Sequence, residues 1–196
     1  MLKSIISAFL MYSRIPVPAV EWKEENRRYS LAFFWLIGVV IGVMFLLWRF
    51  ICRKLNLNEV MTGAGATFIP LLVTGGIHMD GFCDVCDAKN SYGDKKKCLE
   101  IMKDSHVGAF AVINLFIYLI MQTALFSQVK NWKTAGIISV GFVASRALSG
   151  FTAVTFRPAK KGGTLQNFTE PAHKKITIYN SRTYCSFFNR SKSELF

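Results

Sequence analysis

Apolar residues fall in four blocks, separated by short polar turns and one long polar connection. "SLAFFWLIGVVIGVMFLLWRF" (30–50) carries no charge before Arg49 and is long enough to cross the roughly 30 Å of a hydrocarbon core. "VGAFAVINLFIYLIMQTALFSQ" (107–128) has strongly polar interruptions only at Asn114 and Gln122, and "TAGIISVGFVASRALSGFTAVTF" (134–156) is apolar apart from Arg146. "EVMTGAGATFIPLLVTGGI" (59–77) is interrupted by Gly63, Gly65, Pro70, Gly75 and Gly76. Membrane bundles tolerate such residues, because neighbouring helices re-satisfy the backbone and small side chains permit close packing. The pattern predicts an all-α, polytopic membrane bundle of about four spanning helices, near 30–50, 59–77, 107–128 and 134–156, with a helical connection over 78–106. One integral-membrane domain over 1–170 accommodates all four.

Composition agrees with a lipid-facing chain. Apolar residues make up 52% and charged residues 18%, below the roughly 25% charged of an ordinary soluble domain. A net charge of +12 fits either nucleic acid or an anionic membrane surface, and its distribution decides between them. Lysine and arginine number five in residues 1–29, five in 78–106 and eight after 156, against three in 49–58 and two in 129–133. With four spans, the three richer segments share one side, which the positive-inside bias assigns to the cytoplasm. The charge is thus topological, and no motif or aromatic–basic interleaving supports a nucleic-acid partner. The five cysteines, at 52, 83, 86, 98 and 185, are odd in number and follow no secretory signal, so reduced thiols facing the cytosol are expected.

The 78–106 connection holds half of all the acidic residues: Asp80, Asp84, Asp87, Asp94, Glu100 and Asp104. If 79–90 is helical, Asp80, Asp84 and Asp87 stand at i, i+4 and i+7, within about 60° of one another around the axis. Like charges at that spacing repel unless something neutralises them. A hard divalent cation such as Mg²⁺ does so, binding through a few carboxylates and substrate phosphates, which suits phosphoryl or phosphodiester chemistry. The competing reading is a solvated acidic face that balances nearby lysines. Cys83 and Cys86 form a C-x-x-C, but a structural zinc site usually pairs two such knuckles, so packing as small apolar side chains is the better account.

"TGGIHMDGFCDVCDA" (74–88) resembles the signature of the cobalamin synthase family, the adenosylcobinamide-GDP ribazoletransferases, whose pattern runs T-G-G-L-H-x-D-G-x-x-D-x-x-D-A. "FLMYSRIPVP" (9–18), "IMKDSHVGAFAV" (101–112), "ASRAL" (144–148) and "RPAKKGGTLQNF" (157–168) are similar, in the same order, to further family segments. The resemblance implies a Mg²⁺-dependent, multi-pass enzyme of the bacterial cell membrane, with its active site facing the cytoplasm. Such enzymes join adenosylcobinamide-GDP to α-ribazole, or to its 5′-phosphate, and release GMP. Asp80, Asp84 and Asp87 are then the metal ligands, one of them or His78 accepting the hydroxyl proton. His78 has two alternative roles, bonding a phosphate or bonding backbone at a helix start. Lys103, Arg146 and Lys160 are candidates for the diphosphate charge. An arginine inside a span is a functional hypothesis by default, the alternative being a structural bond to helix carbonyls or to an aspartate. The alternative for Lys160 is a topological anchor. Gly75, Gly76 and Gly81 are expected to let a ligand approach the backbone, and Asp104 or Ser105 to cap the helix that begins near 107. Further partners implied are membrane lipid and either a second copy or other enzymes of cobalamin assembly.

Family members continue with more membrane helices, whereas "ITIYNSRTYCSFFNRSKSELF" (176–196) is polar and basic and holds no spanning run. The stretch 171–196 is therefore read as a divergent tail outside the fold, left by truncation or a frame change. Two other functions compete. A CDP-alcohol phosphotransferase needs a G-x-x-x-D-x-x-x-D continuation that is missing after Asp80 and Gly81. A small cation transporter using Asp80 and Arg146 would place its charges near the bilayer midplane, not at a helix boundary.

Overall fold

The computed structural model describes residues 2–19, 23, 28–104, 106–156, 169, 172–180 and 183. Among them every regular element is helical: α1 (Leu2–Tyr12), a short 3₁₀ turn (Leu31–Phe33), α2 (Trp35–Lys54), α3 (Glu59–Thr74), α4 (Ile77–Asn90), α5 (Lys95–Ile101), α6 (Ala109–Ser127) and α7 (Trp132–Thr155), followed by a short helix over 174–180. Three stretches, Leu31–Lys54, Ala109–Ser127 and Trp132–Thr155, are long and apolar enough to cross a membrane, as the hydropathy pattern predicts. The fourth block differs. Its helix α3 stops at Thr74, and the chain turns through 97° into α4. Alone, α3 is about 24 Å long at 1.5 Å per residue; α3 and α4 together are apolar enough to count as one broken span, which brings the number to four.

The chain forms two compact units, residues 1–50 with 130–196 and residues 51–129. In the first, α2 and α7 run antiparallel in close contact. Ile37, Ile41 and Phe45, one turn apart along α2, are fully buried, and Phe45 meets Phe142 edge-on at 5.8 Å. Gly38 and Gly42, four residues apart, let the backbones touch: a Cβ on Gly38 would lie 2.6 Å from the Phe142 carbonyl oxygen, and one on Gly42 2.9 Å from that of Ser139. Ser139 donates to the carbonyls of Gly42 and Ala135 at 3.2 and 2.9 Å. Small residues spaced this way let membrane helices approach closely, where dispersion and hydrogen bonds replace the hydrophobic effect. The Arg49 guanidinium stands 6.0 Å from the Trp132 ring at the far end of the pair.

Residues 172–180 pack into this same unit. The His173 N–H donates to the Arg28 carbonyl at 2.8 Å, the Asn180 amide to that of Ala32 at 3.2 Å, and Thr177 is buried. That part of the tail is docked, contrary to the expectation that everything beyond 170 lies outside the fold; its hydrogen bonds reach back to the segment before α2, which an absence of apolar runs does not reveal.

In the second unit α3 and α6 pair antiparallel by the same device. A Cβ on Gly63 would lie 2.5 Å from the Thr123 carbonyl oxygen, and the Thr123 hydroxyl donates to that of Thr67 at 3.2 Å. Side chains supply the helix starts: Asn58 accepts from Met61 N–H, and Asp94 from Lys97 N–H. The other side of α6 exposes Ile113, Phe116, Ile117 and Ile120, the surface a spanning helix turns to hydrocarbon. Helix α4 packs on the N-terminal part of α6, and α5 folds back against α4.

Candidate active site on the bent helix pair

Two consecutive glycines make the bend. Gly75 (φ +64°) and Gly76 (φ +79°) are both left-handed, a region that costs other L-residues on the order of 1–2 kcal/mol. The Gly76 N–H closes α3 on the Leu71 carbonyl at 3.1 Å, and its own carbonyl opens α4 by accepting from Met79 and Asp80 N–H at 2.8 and 2.9 Å. The requirement for glycine here is thus conformational, a different reason from the ligand approach expected from sequence. Gly81 has ordinary helical geometry, and a Cβ there would meet nothing within 4 Å. The two kinds of glycine separate by substitution. Gly76→Ala is expected to lower stability by about 1–2 kcal/mol. Gly81→Ala is expected to raise it by up to about 1 kcal/mol through helix propensity, with any loss of activity then due to the ligand. Thermal unfolding in detergent, run beside an activity assay, checks both.

Helix α4 includes the whole acidic trio, as the i, i+4, i+7 spacing requires. Asp80 is exposed, and Asp84 and Asp87 are partly exposed. Desolvation, and then the charges of Asp80 and Asp87, push the Asp84 carboxyl above the usual carboxylate range. Among the described residues neither Asp80 nor Asp84 makes a side-chain hydrogen bond or ion pair. Asp87 does. Its Oδ2 accepts the Gly108 N–H at 2.7 Å and its Oδ1 the Ala111 N–H at 2.8 Å, across 21 and 24 residues of chain.

That contact corrects the expected cap of α6. The helix starts at Ala109 with Gly108 as N-cap, which has no side chain to cap with. Asp104 turns to His106 instead, accepting its N–H at 3.0 Å, and Ser105 lies outside the described residues. Gly108 is required as well: a Cβ on it would lie 2.6 Å from Asp87 Oδ1. Sequence reading missed Gly108, whose only visible signal was its place in the "KDSHVGAF" element.

Among the described residues no three His, Cys, Asp or Glu side chains converge tightly enough to hold a metal by themselves. A Mg²⁺ ion does not need three, since one or two carboxylates plus substrate phosphates are its common arrangement. Asp80 and Asp84, neither engaged by a hydrogen bond or ion pair among the described residues, fit that donor set. Zinc fits poorly. The Cys83 thiol is pushed up by desolvation and by Cys86 and the three aspartates, the reverse of what a thiolate ligand needs, and the Cys98 thiol donates to the Ala88 carbonyl at 3.2 Å.

The other expected site residues scatter. His78 is exposed in the first turn of α4, and Lys103 is exposed just after α5. Arg146 belongs to the other compact unit, in mid-α7, where it donates to the Ser145 hydroxyl at 3.2 Å. Lys160 lies outside the described residues.

Fold and site define a polytopic helical membrane protein with a carboxylate-bearing helix at a sharp break. The chain belongs to the cobalamin-5-phosphate synthase family, which matches residues 4–188. An adenosylcobinamide-GDP ribazoletransferase of Lachnoclostridium phytofermentans is 47% identical over 178 residues, 90% of this chain and 68% of the relative. Relatives of the same name from Clostridium botulinum (strain Eklund 17B) and Geobacillus sp. (strain WCH70) are 32% and 31% identical, covering 95% and 94% of this chain and 75% of each relative. No solved structure matches the chain.

Proposed function

We propose that this protein transfers the cobinamide phosphate of adenosylcobinamide-GDP to α-ribazole, or to its 5′-phosphate, with release of GMP. The observation that carries this reading is the pair of uncommitted carboxylates, Asp80 and Asp84, within the segment that matches the family signature. The ribazole 5′-hydroxyl attacks the cobinamide-linked phosphorus. A new P–O bond forms, the P–O bond to the guanosine phosphate breaks, and GMP departs with the electron pair. Asp80 and Asp84 would hold Mg²⁺, which supplies neutralisation of the diphosphate and of the charge gathering on the leaving group. His78, at the exposed start of α4, accepts the hydroxyl proton. Gly81 leaves room for substrate beside the carboxylates. Lys103 contributes positive charge toward the diphosphate. The site faces the cytoplasm of a bacterial cell, on the side where basic residues concentrate.

Membranes containing the chain, incubated with adenosylcobinamide-GDP, are expected to release GMP only when both α-ribazole and Mg²⁺ are present. Release that ignores ribazole, or none at all, overturns the reading.

A further inference from the structure

We propose that Asp87 is a positioning residue that clamps the start of α6 onto α4, leaving Asp80 and Asp84 as the metal-binding pair. The inference rests on the metal reading above for its second half, and on geometry alone for its first. Both Asp87 oxygens accept backbone N–H groups of one helix start, at 2.7 and 2.8 Å. Such charge-assisted bonds are roughly twice as strong as neutral ones, and a carboxylate is favoured at the positive end of a helix dipole. Each bond draws charge from an oxygen that a cation would otherwise use.

Gly108 provides the second, independent observation. The space its side chain would fill is taken by the Asp87 carboxyl, with Cγ at 2.8 Å and Oδ2 at 2.9 Å from an added Cβ. Ala111, which donates the other bond, is buried. An aspartate of one motif and a glycine of the other thus form a single contact that joins "DGFCDVCDA" to "KDSHVGAF". The connection bearing Lys103 enters α6 at this clamp, so the contact fixes where that connection ends relative to α4.

The test uses Asp87→Asn, Asp87→Ala and Gly108→Ala in the full chain, purified in detergent. Asparagine keeps one acceptor oxygen, alanine none, and Gly108→Ala displaces the carboxylate without altering it. Melting temperature is expected to fall in the order Asn, then Ala, and Asp87→Ala combined with Gly108→Ala is expected to melt no lower than the worse single variant, as residues sharing one contact do. Mn²⁺ titrations followed by electron paramagnetic resonance, with adenosylcobinamide-GDP present, are expected to show affinity within about threefold of the parent for Asp87→Asn and Gly108→Ala. Turnover is expected to drop tenfold or more in both, with KM for either substrate little changed. Tenfold weaker Mn²⁺ binding in Asp87→Asn, with Gly108→Ala unaffected, makes Asp87 a ligand and overturns the proposal; so does additivity of the two substitutions in melting temperature. Mn²⁺ binding unaffected by Asp84→Asn overturns the metal pair alone, while non-additive melting still upholds the clamp.

Discussion

Asparagine in place of Asp84 is expected to cut ribazole-dependent GMP release by about 10²–10³-fold, the scale on which removing one preorganised electrostatic group acts. The reason lies in where Asp84 stands. It is the middle member of the trio, one turn from Asp80 and one from Asp87 on α4, and desolvation, followed by the charges of both neighbours, raises its pKa. A carboxylate held in that state is unfavourable without a cation and favourable with one. The same substitution should therefore act in opposite directions on two measurements. Activity falls, whereas the melting temperature of the metal-free protein rises slightly, because Asn has no charge to repel.

The pH dependence follows with its sign. A carboxyl whose folded pKa exceeds its unfolded value binds the proton more tightly when folded, so stability declines as pH rises from the ordinary carboxylate range through the raised value. The parent without Mg²⁺ should show that decline, and Asp84→Asn should lack its share. Equal activity in variant and parent, measured across a Mg²⁺ series, would remove Asp84 from the site.

What could be read in the sequence was whatever depends on neighbours along the chain. Three spans were legible because twenty or so apolar residues in a row have one physical outcome near lipid. The acidic trio was legible because helical spacing alone puts Asp80, Asp84 and Asp87 on one face. The bend was not. Gly75 and Gly76 were visible, but a glycine adopts either sign of φ, and only the folded chain shows that both are positive. Asp87 shows the limit most clearly. Its spacing assigned it to the same task as Asp80 and Asp84, yet its partners lie on α6, and nothing local distinguishes a carboxylate turned toward a helix start. The tail was misjudged for a related reason: His173 and Asn180 dock through backbone carbonyls of Arg28 and Ala32, acceptors that every residue offers.

The α2–α7 contact is a further case in which spacing was present and its partner was not, and it sets the largest expected loss of stability. Gly38 and Gly42 sit four apart in "GVVIG", which by itself does not say which helix they meet. In the fold, a Cβ at Gly38 would lie 2.6 Å from the Phe142 carbonyl oxygen and 2.7 Å from the Val143 Cα. Both are backbone atoms, so no rotamer change relieves the clash, and the two helices must move apart along their length. Separation would also stretch the Ser139 hydrogen bond to Gly42 and loosen the Phe45–Phe142 ring contact. Gly38→Leu is therefore expected to cost about 3 kcal/mol or more, at the upper end for overpacked sites. For a chain of this size that is a fall of about 6–12 °C in melting temperature. Gly136 and Gly141 lie on α7 with nothing within 4 Å of an added Cβ, and Gly141→Leu should leave the melting temperature nearly unchanged. Thermal unfolding of the three proteins in one detergent makes the comparison. If Gly38→Leu melts with Gly141→Leu, the close approach of α2 and α7 does not hold this unit together.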